Sequence, residues 1–308
     1  MTITEEAFYR ALQKGELSPV YLFEGEAFFA DEAWKALVEA VQRSLGNKRV
    51  VCKRLSSREI PEAELAEFLI TPALGAAKKV VWVGEIKGGS RELGKILLRA
   101  IEKPNPRMHL VIYMEGEQKI LKEIVEAAKK SNIPHVKFSP PKAYHLPRWI
   151  QNRVRQRYGK NISPDGARYI AELVGTDFYA LDHELEKLAI ALPDQKHITI
   201  EDVGNLVAGS RVSSSFDVMD ALAGQGPASA LLKLMELLQS GEQPIAFLGL
   251  LARHVRLLWQ IKSLEESGKD YLEIKKLLGL PDFVLSKLKE QSHAFSTKQL
   301  RALHRRLY

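Results

Sequence analysis

The first half of the chain alternates short apolar runs with stretches whose apolar residues recur every three or four positions. Residues 19–23, Pro19-Val20-Tyr21-Leu22-Phe23, predict a buried strand that ends at Glu24-Gly25. Residues 33–45 carry helical spacing and stop at Gly46. Residues 50–55 predict a second strand and 62–70 a short helix. That helix ends at Thr71-Pro72, because the residue before a proline is driven out of the α region. Val80-Val81-Trp82-Val83 predicts a third strand, 91–101 a helix, 109–114 a fourth strand, 120–130 a helix and 136–138 a last strand. Apolar strands alternating with helices belong to a parallel sheet covered on both faces. A doubly wound α/β domain is therefore predicted over residues 1–141, closed by Pro140-Pro141.

From residue 142 onward the period is helical throughout. Trp149, Ile150, Val154 and Tyr158 form one stripe. Ser163 is placed as an N-cap with Pro164 at the first helical position, and this helix ends at Gly175. Residues 177–192 predict another helix, ended by Pro193, and Thr199 with Asp202 has the spacing of a capping box. The polar stretch Arg211-Val212-Ser213-Ser214-Ser215 predicts a second boundary. It divides a small, wholly helical domain at 142–211 from a larger helical domain at 212–308. Within the latter, 244–266 is the longest helix, and Ser296 with Gln299 spaces a second capping box.

Composition adds limits to this picture. At 308 residues, 45% hydrophobic and 27% charged, the chain has the balance of a water-soluble protein of two or three domains. No apolar run approaches the length of a membrane helix, and the start lacks the pattern of a secretory signal, so a cytosolic protein is expected. One cysteine, Cys52, excludes an internal disulfide and a multi-cysteine zinc site. It lies in a strand pattern and is expected to be a small, half-buried strand residue. The net charge of +7 is compatible with a nucleic-acid neighbourhood, but it is spread along the chain. Its densest group, Arg148, Arg153, Arg155, Arg157 and Lys160, reads as a solvated helix face.

An α/β domain followed by a small helical domain is the layout of an AAA+ ATPase. Such an enzyme needs a glycine-rich loop ending in Lys and Ser/Thr after the first strand, whose N–H groups, ammonium and hydroxyl hold the phosphates and magnesium. Here the first strand runs into Glu24-Gly25-Glu26-Ala27-Phe28-Phe29-Ala30-Asp31, with no Gly-Lys pair and with carboxylates where phosphate would sit. Gly84-Glu85-Ile86-Lys87-Gly88-Gly89-Ser90 is glycine-rich, but its lysine precedes the Gly-Gly pair, and it reads as a surface loop. No His-Glu-x-x-His or Gly-x-Ser-x-Gly pattern occurs. The sequence thus predicts an ATPase-like shape without catalytic residues, cofactor or metal.

Several motifs, in order along nearly the whole chain, resemble the delta subunit family of the bacterial DNA polymerase III clamp loader. They are Pro19 to Glu26, Thr71-Pro72-Ala73-Leu74 followed by Lys78-Lys79-Val80-Val81, and the Glu184-Leu185-Glu186-Lys187-Leu188 helix. Phe216-Asp217 with Asp220-Ala221-Leu222-Ala223, Gly241-Glu242-Gln243-Pro244, Arg253-His254 and Phe295-Ser296 continue the match. The resemblance implies two AAA+-like modules and a helical collar that assembles with delta-prime and gamma/tau subunits. It further implies that the chain does not hydrolyse ATP, but inserts a short helix into a pocket of the beta sliding clamp and favours the open ring for loading on primed DNA. On this resemblance the clamp-binding residues are Thr71, Pro72, Ala73, Leu74 and Gly75, with Leu74 at the anchoring position.

The family often has Phe where this chain has Gly75. Two expectations follow: a weaker clamp contact, or replacement of the lost anchor by Phe68, Leu69 or Ile70. Read without the resemblance, Leu74 is a core residue bridging helix and strand. The family also continues beyond the last helix, so the chain is expected to be C-terminally incomplete or to carry a shorter collar. The rival readings are a sister subunit, a nucleotide-dependent enzyme with an unfamiliar phosphate loop, and a free-standing DNA-binding adaptor with an inactive ATPase-like fold.

Overall fold

The computed structural model describes residues 2–56, 60–71, 75–84, 91–114, 119–239, 244–280 and 282–307. The chain divides into two compact units, residues 1–140 and 141–308. In the first, β1 (Thr2–Ile3) and α1 (Glu5–Lys14) precede β2 (Val20–Gly25), α2 (Ala27–Leu45), β3 (Val50–Ser56) and α3 (Glu62–Ile70). Then follow β4 (Lys78–Gly84), α4 (Arg91–Glu102), β5 (Met108–Met114), α5 (Lys119–Lys130) and β6 (His135–Phe138). The described strands form one parallel sheet in the order β1-β6-β2-β5-β4-β3.

The two faces of this sheet follow from the period of two along each strand. Val20, Leu22, Val81, Val83, Leu110 and Ile112 join one core with Leu65 and Leu69 of α3, Leu93 and Leu97 of α4 and Ile124 of α5. Their neighbours in sequence build an aromatic layer. Phe23 meets Phe8 of α1, Trp82 and Phe138, and Trp82 meets Trp34 of α2 and Tyr113, with ring centroids 5.0 to 6.0 Å apart. Helices therefore cover both faces, which is the doubly wound arrangement expected. Cys52 departs from its expected half-burial. Because β3 is the edge strand, its run Cys52-Lys53-Arg54 is exposed. The neighbours that partly cover the thiol push its pKa up, so it is a poor nucleophile.

The second unit begins with a turn of 3-10 helix, Ala143–His145, then α6 (Leu146–Tyr158), β7 (Asn161–Ile162), α7 (Pro164–Val174), α8 (Phe178–Ala191), β8 (His197–Ile198) and α9 (Ile200–Leu206). It continues with α10 (Ala208–Gly224), α11 (Pro227–Gln239), α12 (Pro244–Glu266), α13 (Tyr271–Leu278), α14 (Asp282–Ser292) and α15 (Thr297–Leu307). Two expectations are corrected here. The stretch 142–211 is not wholly helical, since β7 and β8 pair in parallel, Asn161 with His197 and Ile162 with Ile198. The polar stretch 211–215 is not a break, because the backbone stays helical from Ala208 to Gly224. Serine is only a mediocre helix former, but packing overrides propensity here: Ser215 is buried and hydrogen-bonded to His254 of α12. The expected capping boxes are both present, at Thr199 with Asp202 and at Ser296 with Gln299.

Candidate functional site

The place where a phosphate loop would lie is built from β2 and α2. Only Glu26 separates the two elements, leaving no loop for N–H groups to wrap around a phosphate. Gly25 has φ 115°, and a Cβ there would sit 2.1 Å from the carbonyl oxygen of Phe138. The Tyr113 hydroxyl donates to the Gly25 carbonyl at 2.8 Å. Glu24 faces His135 at 2.7 Å and Lys137 at 3.1 Å. Partial burial pushes the Glu24 carboxyl up, yet Lys137 and His135 outweigh it and hold the group below its ordinary range. Burial lowers His135 despite Glu24, so near neutral pH the contact is a hydrogen bond from an uncharged imidazole. Phe28 and Phe29 fill the first turn of α2 and are buried. Glu85 to Ser90, the second glycine-rich stretch, lie outside the described residues.

The end of α3 is the feature that carries the sequence-predicted residues. Leu69 is 5% exposed and belongs to the core, so its side chain is committed inward. Phe68 packs against the same core, and the ammonium groups of Lys53 and Lys79 lie 4.7 and 4.3 Å from its ring centroid. Ile70 is 66% exposed. Lys79, itself buried, donates from Nζ to the Phe68 carbonyl at 2.7 Å and to the Thr71 carbonyl. It thereby satisfies acceptors that a helix C-terminus leaves open and places a cation at the negative end of the dipole. Burial, and then the nearby Lys53, lower the Lys79 pKa. Gly75 has φ 69°, a conformation that Phe adopts only with strain, which gives a backbone reason for glycine there. Pro72, Ala73 and Leu74 lie outside the described residues. Of the three proposed substitutes for the missing Phe, Ile70 has an outward side chain and Leu69 does not.

The basic group on α6 is less of a solvated face than expected. Arg153 contacts Asp182 of α8 at 2.7 Å, and Arg157 pairs with the same carboxylate. Lys160 is buried, and its Nζ donates to the carbonyls of Leu192, Pro193 and Gln195 at 2.5, 3.0 and 2.8 Å. Arg148, Arg155 and Arg157 remain exposed.

Sequence reasoning missed a buried polar relay in the last helices. Ser215 Oγ lies 3.1 Å from His254 Nδ1, and His254 Nε2 lies 2.6 Å from Gln291 Oε1. The Gln291 amide donates to the Phe216 carbonyl at 3.2 Å and to Asp220. With the amide so oriented, His254 must carry its proton on Nε2 and accept from Ser215 at Nδ1. Burial pushes the imidazole down to about 4, in keeping with this neutral form. Among the described residues no cluster of His, Cys, Asp or Glu is placed to hold a metal, and no helix is long and apolar enough to cross a membrane.

Comparison with known proteins adds to this geometry. Residues 212–308 match the model of the DNA polymerase III delta subunit, C-terminal domain. Over 307 residues the chain is 23% identical to the DNA polymerase III subunit delta of Bacillus subtilis, covering 96% of this chain and 87% of that protein. It is 27% identical over 147 residues to a probable DNA polymerase III subunit delta of Aquifex aeolicus, covering 47% of this chain and 42% of the other. Among solved structures, the Bacillus subtilis DNA clamp loader delta protein matches with a TM-score of 0.52 and 22% identity, over 98% of this chain and 91% of that one. The fold shared with that protein is a parallel α/β unit followed by helices. Residues 212–308 thus resemble the C-terminal domain of DNA polymerase III delta subunits, and nearly the whole chain is similar in sequence to one such subunit.

Proposed function

We propose that this chain serves as the clamp-opening subunit of a DNA polymerase III clamp loader, without hydrolysing ATP itself. The residues assigned to the clamp contact are Phe68, Leu69, Ile70, Thr71, Pro72, Ala73, Leu74 and Gly75. Ile70 is the outward anchor and Leu74 the anchor that the resemblance assigns, while Phe68 and Leu69 brace the helix beneath Ile70. The observation that carries this reading is the end of α3, where Ile70 is exposed on a helix terminus pinned from below by Lys79. The direct passage from β2 into α2 supports the non-catalytic part. Residues 1–141 would form the clamp-binding domain, 142–211 the lid and 212–308 the collar that joins gamma/tau and delta-prime, with primed DNA held in the assembled complex in the cytosol.

Opening the ring then requires no covalent step. A ring in equilibrium between closed and rare open forms is shifted by a ligand that prefers the open one, by no more than its differential affinity. The test is binding of the full chain to the sliding clamp of its own organism, beside Leu74→Ala and Ile70→Ala. Each substitution is expected to weaken binding tenfold or more, which corresponds to about 1.4 kcal/mol. Absence of binding by the unmodified chain would overturn the reading. Binding indifferent to both substitutions would move the contact elsewhere.

A further inference from the structure

A hollow of about 280 Å³ lies between α3 and α4, immediately beside the end of α3. Its apolar wall is Leu69, Ile96 and Met108, and it is open because two alanines, Ala66 and Ala100, stand where larger side chains would fill it. Ile70 lines it as well as pointing outward, so the hollow is continuous with the face assigned to the clamp. Arg99 and Lys103 are exposed on its rim, and among the described residues neither has an acidic partner. The acids at the neighbouring positions, Glu67 and Glu102, do not line it.

We infer that this hollow receives an apolar side chain of the clamp that is flanked by carboxylates, which dock on Arg99 and Lys103. The inference rests on the clamp-binding reading above and names a second, reciprocal contact: α3 inserts into the clamp, and the clamp inserts between α3 and α4. At about 280 Å³ the hollow lies at the lower edge of the range of about 300–1,000 Å³ usual for cofactor and drug-like sites, and it has room for one large side chain. Chemistry favours an acidic protein segment over nucleic acid. A phosphate backbone is held by cations and other polar donors and single-stranded bases stack on aromatic rings, whereas this hollow has an apolar wall and, among the described residues, no aromatic lining. Cations around an apolar anchor point match the usual anatomy of a protein interface, with an apolar centre and a polar rim.

The experiment compares clamp binding by the full chain, by a rim reversal (Arg99→Glu with Lys103→Glu), by a filled hollow (Ala100→Leu), and by a control reversal of two exposed cations on α15 (Lys298→Glu with Arg301→Glu). Each is measured at low and high salt. The rim reversal is expected to weaken binding at least tenfold and to flatten its salt dependence, the filled hollow to weaken it at least tenfold with the salt dependence kept, and the control to stay within twofold. A rim reversal that stays within twofold of the control, while the unmodified chain binds, overturns this inference and leaves the clamp-binding reading standing. An unmodified chain that does not bind overturns both. If Ala100→Leu fails to fold by circular dichroism, the rim reversal decides. Loss of duplex-DNA binding in the rim reversal with clamp binding unchanged would assign the hollow to nucleic acid and overturn the inference.

Discussion

The relay at His254 makes the helical unit sensitive to acid in a way that can be worked out in advance. In the folded chain burial holds the imidazole at about 4, against an ordinary value of 6.5. Arg253 and Lys287 add to that lowering, while the hydrogen bond to Gln291 and the charge of Asp220 oppose it. Unfolding frees the group to bind a proton, so the unfolded state is favoured as pH falls below 6.5. The contribution is complete above that value and shrinks towards pH 4. By linkage, going from pH 8 to pH 5 should remove about 2 kcal/mol from this source alone, rising to about 3 kcal/mol below pH 4. His109 and His135 are also lowered by burial and act in the same direction, so the comparison must be between the chain and a His254→Gln variant. Glutamine keeps a donor and an acceptor but does not titrate. The assay is a urea titration of the full chain from pH 5 to pH 8, read by deuterium uptake in peptides from α10, α12 and α14. The difference between the two proteins should grow by about 2 kcal/mol across that range. Parallel curves would refute the assignment of a neutral, buried His254.

Two further substitutions test the packing that frames the sites. Gly25→Ala places a methyl group 2.1 Å from the Phe138 carbonyl oxygen at a φ of 115°, so a loss of about 3 kcal/mol or more is expected in thermal or urea melts, and a loss under about 1 kcal/mol would show that the strands part easily there. Lys160→Met removes the donor shared by the carbonyls of Leu192, Pro193 and Gln195 at the exit of α8, with an expected cost of about 3 kcal/mol in the same melts; an unchanged midpoint would mean that water replaces the ammonium without penalty.

Much of the α/β unit was legible because its strands are apolar on both faces and its helices end at local signals. The helix 62–70 is bounded by two prolines, and the helix 244–266 by a proline and its own period; both were read to the residue. The start of α2 was placed six residues late. Ala27-Phe28-Phe29-Ala30 is apolar on successive positions and shows no amphipathic period, since this turn is buried. β7 and β8 are two residues each, too short for any periodicity to register. The relay was invisible for a different reason. Ser215 and Gln291 stand 39 and 37 positions from His254, and nothing local marks either as its partner. At the end of α3 the sequence marks where the helix stops, but the outward side chain of Ile70 and the inward one of Leu69 depend on the helix's rotation against the sheet. The hollow beside them depends on α4 lying alongside.

The β2–α2 junction bears on how such a subunit is controlled. In a nucleotide-dependent module the phosphate ties the first strand, the following helix and the neighbouring strands into one state, and its loss lets them relax. Here those ties are made by the chain itself. Tyr113 of β5 holds the Gly25 carbonyl, His135 and Lys137 of β6 hold Glu24, and Arg54 of β3 holds Asp31 of α2 at 2.5 Å while its guanidinium lies 4.3 Å from the Trp82 ring. Elements that a ligand would have bridged are thus locked together without one. In a unit tied this way its own side chains hold β2, α2 and the neighbouring strands together, and Lys79 fixes the end of α3 from within the same unit. Under the proposed function, the preference for an open ring is then a standing property of this chain. On the same proposal, the timing of its action would be imposed from outside, by neighbouring subunits that cover or uncover α3.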